Sequence, residues 1–208
     1  MSRTFSVLND DPDEPEDDKK AAGPAPLNEI ESRLLKLRKV MIFGEINDKL
    51  AREVTARLLA LAAESAAPID IFINSPGGHV ESGDTIHDLI RFVGAAVPVR
   101  IIGTGWVASA GAHIFLAGAK DQRFCLPNTR FLLHQPMGGV RGPATDIGIE
   151  AEEIIKTRER LNKIIAAETG QPLEKVAVDT DRNYWMSAEE AVQYGMVTRI
   201  ISSPEELK

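Results

Sequence analysis

Apolar residues at positions 27, 30, 34 and 37 recur at the spacing that lines one face of a helix, and the run KVMIF after them reads as a strand. The next segment, NDKLAREVTARLLALAAES, sets Leu50, Val54, Leu58 and Leu61 on one stripe behind Asn47 or Asp48 as N-cap, which predicts a core-facing helix. IDIFI then predicts a buried strand, NSPGG a sharp turn, SGDTIHDLIRFV a second helix and VPVRIIG a further strand. This βαβαβ order predicts an α/β fold, because consecutive parallel strands need helical crossovers.

Beyond it, GWVASAGAH is small, Ala/Gly-rich and compatible with a helix. QRFCL and RFLLH, separated by PNT, predict a hairpin. The Gly-rich piece QPMGGVRGP leads to a long charged helix over 143–169, in which Ile147, Ile154, Ile155, Leu161, Ile164 and Ile165 stand out and Gly170 is the stop. A helix near LEKVAVD, a capping box from Ser187 to Glu190 opening AEEAVQY, Gly195 as its stop and a last strand MVTRII complete the pattern.

At 208 residues, 43% of them apolar, the chain fits one domain with a sizeable core. Residues 1–26 are acidic and proline-broken, with too little apolar content to offset the entropy of ordering, so they predict a flexible arm ahead of a folded unit spanning 27–208. A formal net charge of −7 argues against nucleic acid as a partner. Cys125 is the sole cysteine, so no disulfide forms within one chain. No stretch has the length of a membrane span and the N-terminus lacks the apolar core of a signal peptide, which predicts a cytoplasmic protein without membrane contact.

The candidate chemistry centres on Ser109. A hydroxyl is a weak nucleophile until a base takes its proton, and the chain offers His79, His87, His113 and His134. His87, among charged neighbours on a helix, is expected at the surface, and His79 after the glycine turn fits either role. His113 lies one turn beyond Ser109, too near in sequence to serve as its base without distorting that turn. His134 ends the strand RFLLH, where a side chain emerges into a cleft, and is the best base candidate. Backbone N–H groups for an oxyanion are available at Gly77–Gly78 and at Ala110. Val107 occupies the first glycine of a G-x-S-x-G elbow, which disfavours an α/β-hydrolase. The small residues 108, 110, 111 and 112 fit close helix packing equally well, so spacing alone leaves Ser109 open between nucleophile and packing residue.

The strings SRLLKLRKVMIFGEIND, INSPGG, ASAGA, AGAKDQRFCLPNTRFLLHQPMGG, GPATDI and SAEEAVQYGMV, in one register over nearly everything after residue 31, resemble the proteolytic subunits of the Clp protease family. That resemblance implies an α/β, ClpP/crotonase-like ββα fold with a protruding handle helix, the handle region spanning about 135–169. It implies Ser109 as nucleophile and His134 as base, with the amides of Gly78 and Ala110 as oxyanion donors. The residues after Gly139 would hold a substrate strand. Asn183 stands where the family has an aspartate to orient the histidine, with Asp179 and Asp181 nearby. The pair Asp181–Arg182 matches a couple that docks two rings.

The same resemblance implies a homo-oligomer of two stacked heptameric rings, polypeptide substrates, an AAA+ unfoldase or a paralogous subunit as further partner, and no metal or organic cofactor. The acidic arm departs from the ordered axial loop of the family. Two alternatives stay open at this stage: a weakly active or regulatory subunit of a mixed complex, because Asn183 brings no charge, and an acyl-CoA enzyme of the crotonase superfamily.

Overall fold

The computed structural model describes residues 29–207; the acidic arm and Leu27 lie outside them. The described chain runs α1 (Glu29–Lys36), β1 (Lys39–Phe43), α2 (Asp48–Glu64), β2 (Ile69–Ser75), α3 (Val80–Gly94), β3 (Val99–Ala108) and α4 (Ala110–Phe115). It continues with β4 (Arg123–Cys125), β5 (Arg130–Leu133), α5 (Ala144–Thr169), α6 (Leu173–Asp179), β6 (Tyr184–Met186), α7 (Ala188–Tyr194) and β7 (Arg199–Ile200). Asn47 caps α2, its side chain accepting from Leu50 N at 3.0 Å. The box at Ser187 and Glu190 closes in both directions. The last strand is shorter than its apolar run, because Met196 and Val197 are buried in the connection before it.

One parallel ladder runs in the order β1, β2, β3, β4, β7. Ile69, Ile71, Ile73 and Ile101 form its interior and pack with Val54, Leu58 and Leu61 of α2 and Ile86, Ile90 and Val93 of α3. No residue of β2 is exposed, Asp70 and Ser75 included, as in a strand covered on both faces. Among the described residues no helix is long and apolar enough to cross a membrane.

The sheet forks at β3. Its first half pairs with β4 at Ile101–Gly103, and its second half pairs with β5 at Trp106–Ala108, both parallel. The predicted hairpin of β4 and β5 is therefore wrong. The turn between them is real, closed by Thr129 N to Leu126 O at 3.1 Å, but the chain resumes along the same neighbour instead of reversing. Leu126 N and Thr129 Oγ1 both donate to Gly103 O and hold that offset. Gly105, at φ +61 with Asn74 Oδ1 where a Cβ would stand, lets β3 change direction between its two partners. β5 then pairs antiparallel with β6, bringing the segments around His134 and Asn183 side by side.

His87 is the second correction: it is 5% exposed, not at the surface. Gly83 lets α3 approach α4 so closely that a Cβ there would sit 3.3 Å from that of Ala110, and the face carrying Ile86, His87 and Ile90 is covered.

α5 divides into two parts. Residues 144–153 are exposed throughout, and only Asn162 and Ile165 are buried. Its last turn is anchored by Arg123, which is fully buried; the guanidinium donates to Gly118 O at 2.8 Å, Leu116 O at 2.9 Å, Glu168 O at 3.1 Å and the Glu168 carboxylate. Removing one side of such a buried pair leaves desolvated groups without partners. Arg123→Met is expected to cost about 3 kcal/mol, read as a lower urea midpoint at fixed protein concentration. An unchanged midpoint would refute the anchor.

Candidate active site

Ser109 sits where β3 stops and α4 starts, with φ 54 and ψ −121, a conformation that side-chain-bearing residues seldom adopt. It is held there from three sides. Its N–H donates to Leu132 O at 2.9 Å, its carbonyl accepts His113 N at 3.1 Å, and Gly77 lies so close that an added Cβ would be 2.6 Å from Ser109 Cβ. Strain of this kind, of order 1–3 kcal/mol, persists where the surroundings over-determine it. The turn thus has the strand-to-helix form of a nucleophile elbow without the full motif, Gly111 supplying the second small position and Gly77, from another loop, the missing space.

The half-buried His134 follows β5, and its Nε2 lies 2.7 Å from Ser109 Oγ. Its Nδ1 lies 3.0 Å from Asn183 Oδ1. An amide oxygen only accepts, so Nδ1 carries the proton and Nε2 presents its lone pair to the hydroxyl. Asn183 itself is exposed.

The Gly77–Gly78 turn is fixed by Ile46, whose N–H donates to Gly77 O and whose carbonyl accepts His79 N. In a parallel bridge this leaves the amide of Gly78 directed off the ladder. Ala110, in the first turn of α4, has an N–H without an intrahelical acceptor. His79, the remaining histidine, is exposed and contacts Ser82 in the first turn of α3 and Asp48 at the start of α2.

Several supporting residues escaped the sequence reading. Gln135 N donates to Thr180 O at 2.6 Å and Gln135 Nε2 to Asp181 O at 2.7 Å, stapling the residue after the histidine to the loop before Asn183. Thr180 is buried, its hydroxyl oxygen 2.9 Å from both Asn162 Oδ1 of α5 and Val176 O. Asp181 accepts from Arg158 of α5 at 3.1 Å, and Arg182 is exposed. A polar residue directly after a candidate base was the one available signal.

A cavity of about 40 Å³ opens beside Ser109 and His134, walled by Val80, Ala110, His113, Leu133 and Leu161. A larger cleft, about 1090 Å³, lies elsewhere, against Pro68, Arg100, Phe124 and Leu207, and contains none of Ser109, His134 and Asn183. Cys125 is buried, and desolvation pushes its thiol up to about 12, which removes it as a nucleophile. Among the described residues no three His, Cys, Asp or Glu side chains stand together as a metal site.

The model of the Clp protease family matches residues 23–204 of the chain. The chain belongs to the Clp protease family. The ATP-dependent Clp protease proteolytic subunit 2 of Gluconobacter oxydans is 68% identical over 210 residues, covering 99% of this chain and 94% of its own length. The proteolytic subunit 3 of Rhizobium etli is 58% identical over 195 residues, covering 94% and 99%. Among solved structures, an Asn-to-Asp mutant of ClpP1 from Listeria monocytogenes superposes with a TM-score of 0.80 at 51% identity, covering 86% of this chain and 99% of its own. The Clp protease assignment brings the α/β, ClpP-like fold with it.

Beneath this Clp protease turn lies a polar cluster that the sequence did not announce. Asp84 of α3 receives His113 Nε2 at 2.9 Å and both terminal nitrogens of Arg160 at 2.9 and 2.7 Å. Burial alone would raise the Asp84 carboxyl, but the hydrogen bonds from His113 and Arg160 outweigh it and hold the group well below the usual carboxylate range. A depressed carboxyl stabilises the fold fully above its unfolded pKa, and that contribution is lost as pH falls towards the folded value. Below about pH 5, the melting temperature of the wild type is therefore expected to drop more steeply than that of Asp84→Asn. Parallel curves would show that the cluster contributes no acid-labile stability.

Proposed function

We propose that this chain is the proteolytic subunit of a self-compartmentalised serine endopeptidase that cuts unfolded polypeptide through an acyl-enzyme. The observation that carries the reading is the 2.7 Å contact between Ser109 Oγ and His134 Nε2 at a strained strand-to-helix turn. His134 Nε2 takes the hydroxyl proton as Ser109 Oγ attacks the scissile carbonyl carbon. The resulting oxyanion is held by the amides of Gly78 and Ala110. Collapse breaks the C–N bond, the amine leaves with the proton from His134, and water repeats the sequence on the ester. Asn183 fixes the imidazole's direction.

Residues 136–141 lie in neither strand nor helix, so their backbone groups are open to a substrate strand running beside Gly139. Binding through the main chain suits a protease of broad substrate range. The exposed first half of α5, with Ile147, Ile149 and Ile155 at 42%, 55% and 57% exposure, supports its burial between two stacked heptameric rings, with Asp181 and Arg182 at the same junction. An AAA+ unfoldase would feed the chamber from the cytoplasm, and no metal or organic cofactor enters the chemistry. The division into an acidic arm at 1–26 and a protease domain at 27–208 belongs to the same proposal.

One feature favours a second reading, a weakly active subunit that works beside a paralogue: Asn183 offers the imidazolium no charge. Peptide hydrolysis by the purified protein separates the two. Ser109→Ala is expected to abolish turnover, and Asn183→Asp to raise kcat by about tenfold, one unit charge near a partly exposed imidazole being worth roughly 1–4 kcal/mol. Turnover that survives Ser109→Ala would defeat the peptidase reading. A monomer on sedimentation would defeat the compartment.

A further inference from the structure

The two amides that would hold the oxyanion belong to different loops: Gly78 precedes α3, and Ala110 opens α4. Gly77 O accepts Ile46 N at 2.9 Å, and in a trans peptide the carbonyl and the following N–H point in opposite directions. Ile46 therefore orients the Gly78 N–H, and a Cβ on Gly78 would collide with Ile46 O. On the other side, a Cβ on Gly83 would stand 3.3 Å from that of Ala110. The first turn of α3 thus meets both donors, Gly78 just before it and Ala110 through Gly83.

A side-chain clip holds that turn to the start of α2. Ser82 is 2% exposed, and its hydroxyl donates to Asp48 Oδ1 at 2.5 Å. His79 Nδ1 lies 2.9 Å from the same hydroxyl oxygen and 3.4 Å from Asp48 Oδ1. The hydrogen bond from Ser82 is the largest cause lowering the Asp48 carboxyl from its ordinary value, as in a charge-assisted bond. Asp48 lies two residues beyond Ile46. Ile46 grips Gly77 and His79 through the backbone, and Asp48 grips Ser82 one helical turn further on. The backbone bonds alone would let α3 pivot about the glycine turn. A second attachment fixes its angle, and with it the distance from the Gly78 amide to the Ala110 amide.

We propose that Ser82 and Asp48 are positioning residues for the oxyanion, their hydrogen bond setting the angle of α3 and so the spacing of the Gly78 and Ala110 amides. The proposal rests on the peptidase reading of Ser109 and His134. It goes beyond that reading in naming side chains that govern transition-state charge without touching substrate. Neither side chain borders the cavity beside Ser109, so their loss is expected to spare substrate binding.

Hydrolysis of a fluorogenic peptide and inhibition by a peptide aldehyde test this together, because the hemiacetal oxygen formed on Ser109 takes the place of the oxyanion. Ser82→Ala and Asp48→Ala are each expected to lower kcat about tenfold with KM unchanged, less than the roughly 10²–10³ that outright loss of a donor costs. The aldehyde's inhibition constant is expected to rise by the factor that kcat falls. Asp48→Asn keeps an acceptor for the hydroxyl and is expected to recover most of the loss. The double alanine variant is expected to be no worse than either single one, since both break one bond. Ser109-dependent turnover with kcat unchanged in both single variants, a raised KM, or a fall in kcat that the aldehyde does not follow overturns this inference alone. Failure of both single variants to fold also overturns it, by assigning the bond to the fold. Absence of cleavage by the wild type, or cleavage that persists in Ser109→Ala, overturns the peptidase reading and this inference together.

Discussion

The backbone of Ser109 is the constraint around which the structure is arranged. A serine at φ 54 gains nothing locally, so its conformation has to be imposed by elements packed on it. β5 supplies the Leu132 carbonyl, α4 begins at once and cannot slide, and the Gly77 turn leaves no room for the serine to relax. The first of those pieces depends on the fork in β3. Only because β3 bends at Gly105 and changes partner from β4 to β5 does the strand carrying His134 run beside the strand carrying Ser109. The bend therefore belongs to the site as much as to the sheet.

α5 links this site to the part of the molecule that projects. Its exposed first half contributes no packing to the core, yet its second half grips the site at separate points: Arg158 on Asp181, Arg160 on Asp84, Asn162 on Thr180 and Glu168 on Arg123. Apolar contact alone would leave a long helix free to slide along its groove. Charge-assisted and buried polar bonds fix both its rotation and its register. Two of these contacts lie on opposite sides of the site, Asp84 beneath His113 and Asp181 two residues before Asn183. A displacement of the helix is thereby transmitted to the floor of the cavity and to the loop that carries Asn183.

The helices and every strand but β6 were legible in the sequence because each is a local pattern: the Leu50, Val54, Leu58 and Leu61 stripe, the Ser187–Glu190 box, the stop at Gly170; the three residues of β6 are too few to show one. The pairing of β4 and β5 was not, since a tight turn after Pro127 looks the same whether the chain reverses or resumes beside an older strand. His87 was misread for a related reason. Its neighbours Asp88 and Arg91 are charged, and the residue that decides its burial, Gly83 against Ala110, acts across two helices. For the site, the residue types pointed to Ser109 and His134 as candidates, and the family likeness to Asn183. The Asp84–His113–Arg160 cluster left no trace, because its members come from three helices and share no spacing.

Asn183 completes the picture as a question of magnitude. A carboxylate orienting a histidine does two things: it fixes the tautomer and stabilises the imidazolium. The first needs only an acceptor, and the amide oxygen 3.0 Å from Nδ1 provides it. The second scales inversely with the local dielectric, from about 4 kcal/mol at 4 Å near a protein surface to about 1 kcal/mol in water. Asn183 is exposed, so the charge it lacks would have been screened by solvent and worth less than in a sealed triad. The geometry keeps the contribution that cannot be replaced, the direction of the ring, and forgoes the one that water already weakens.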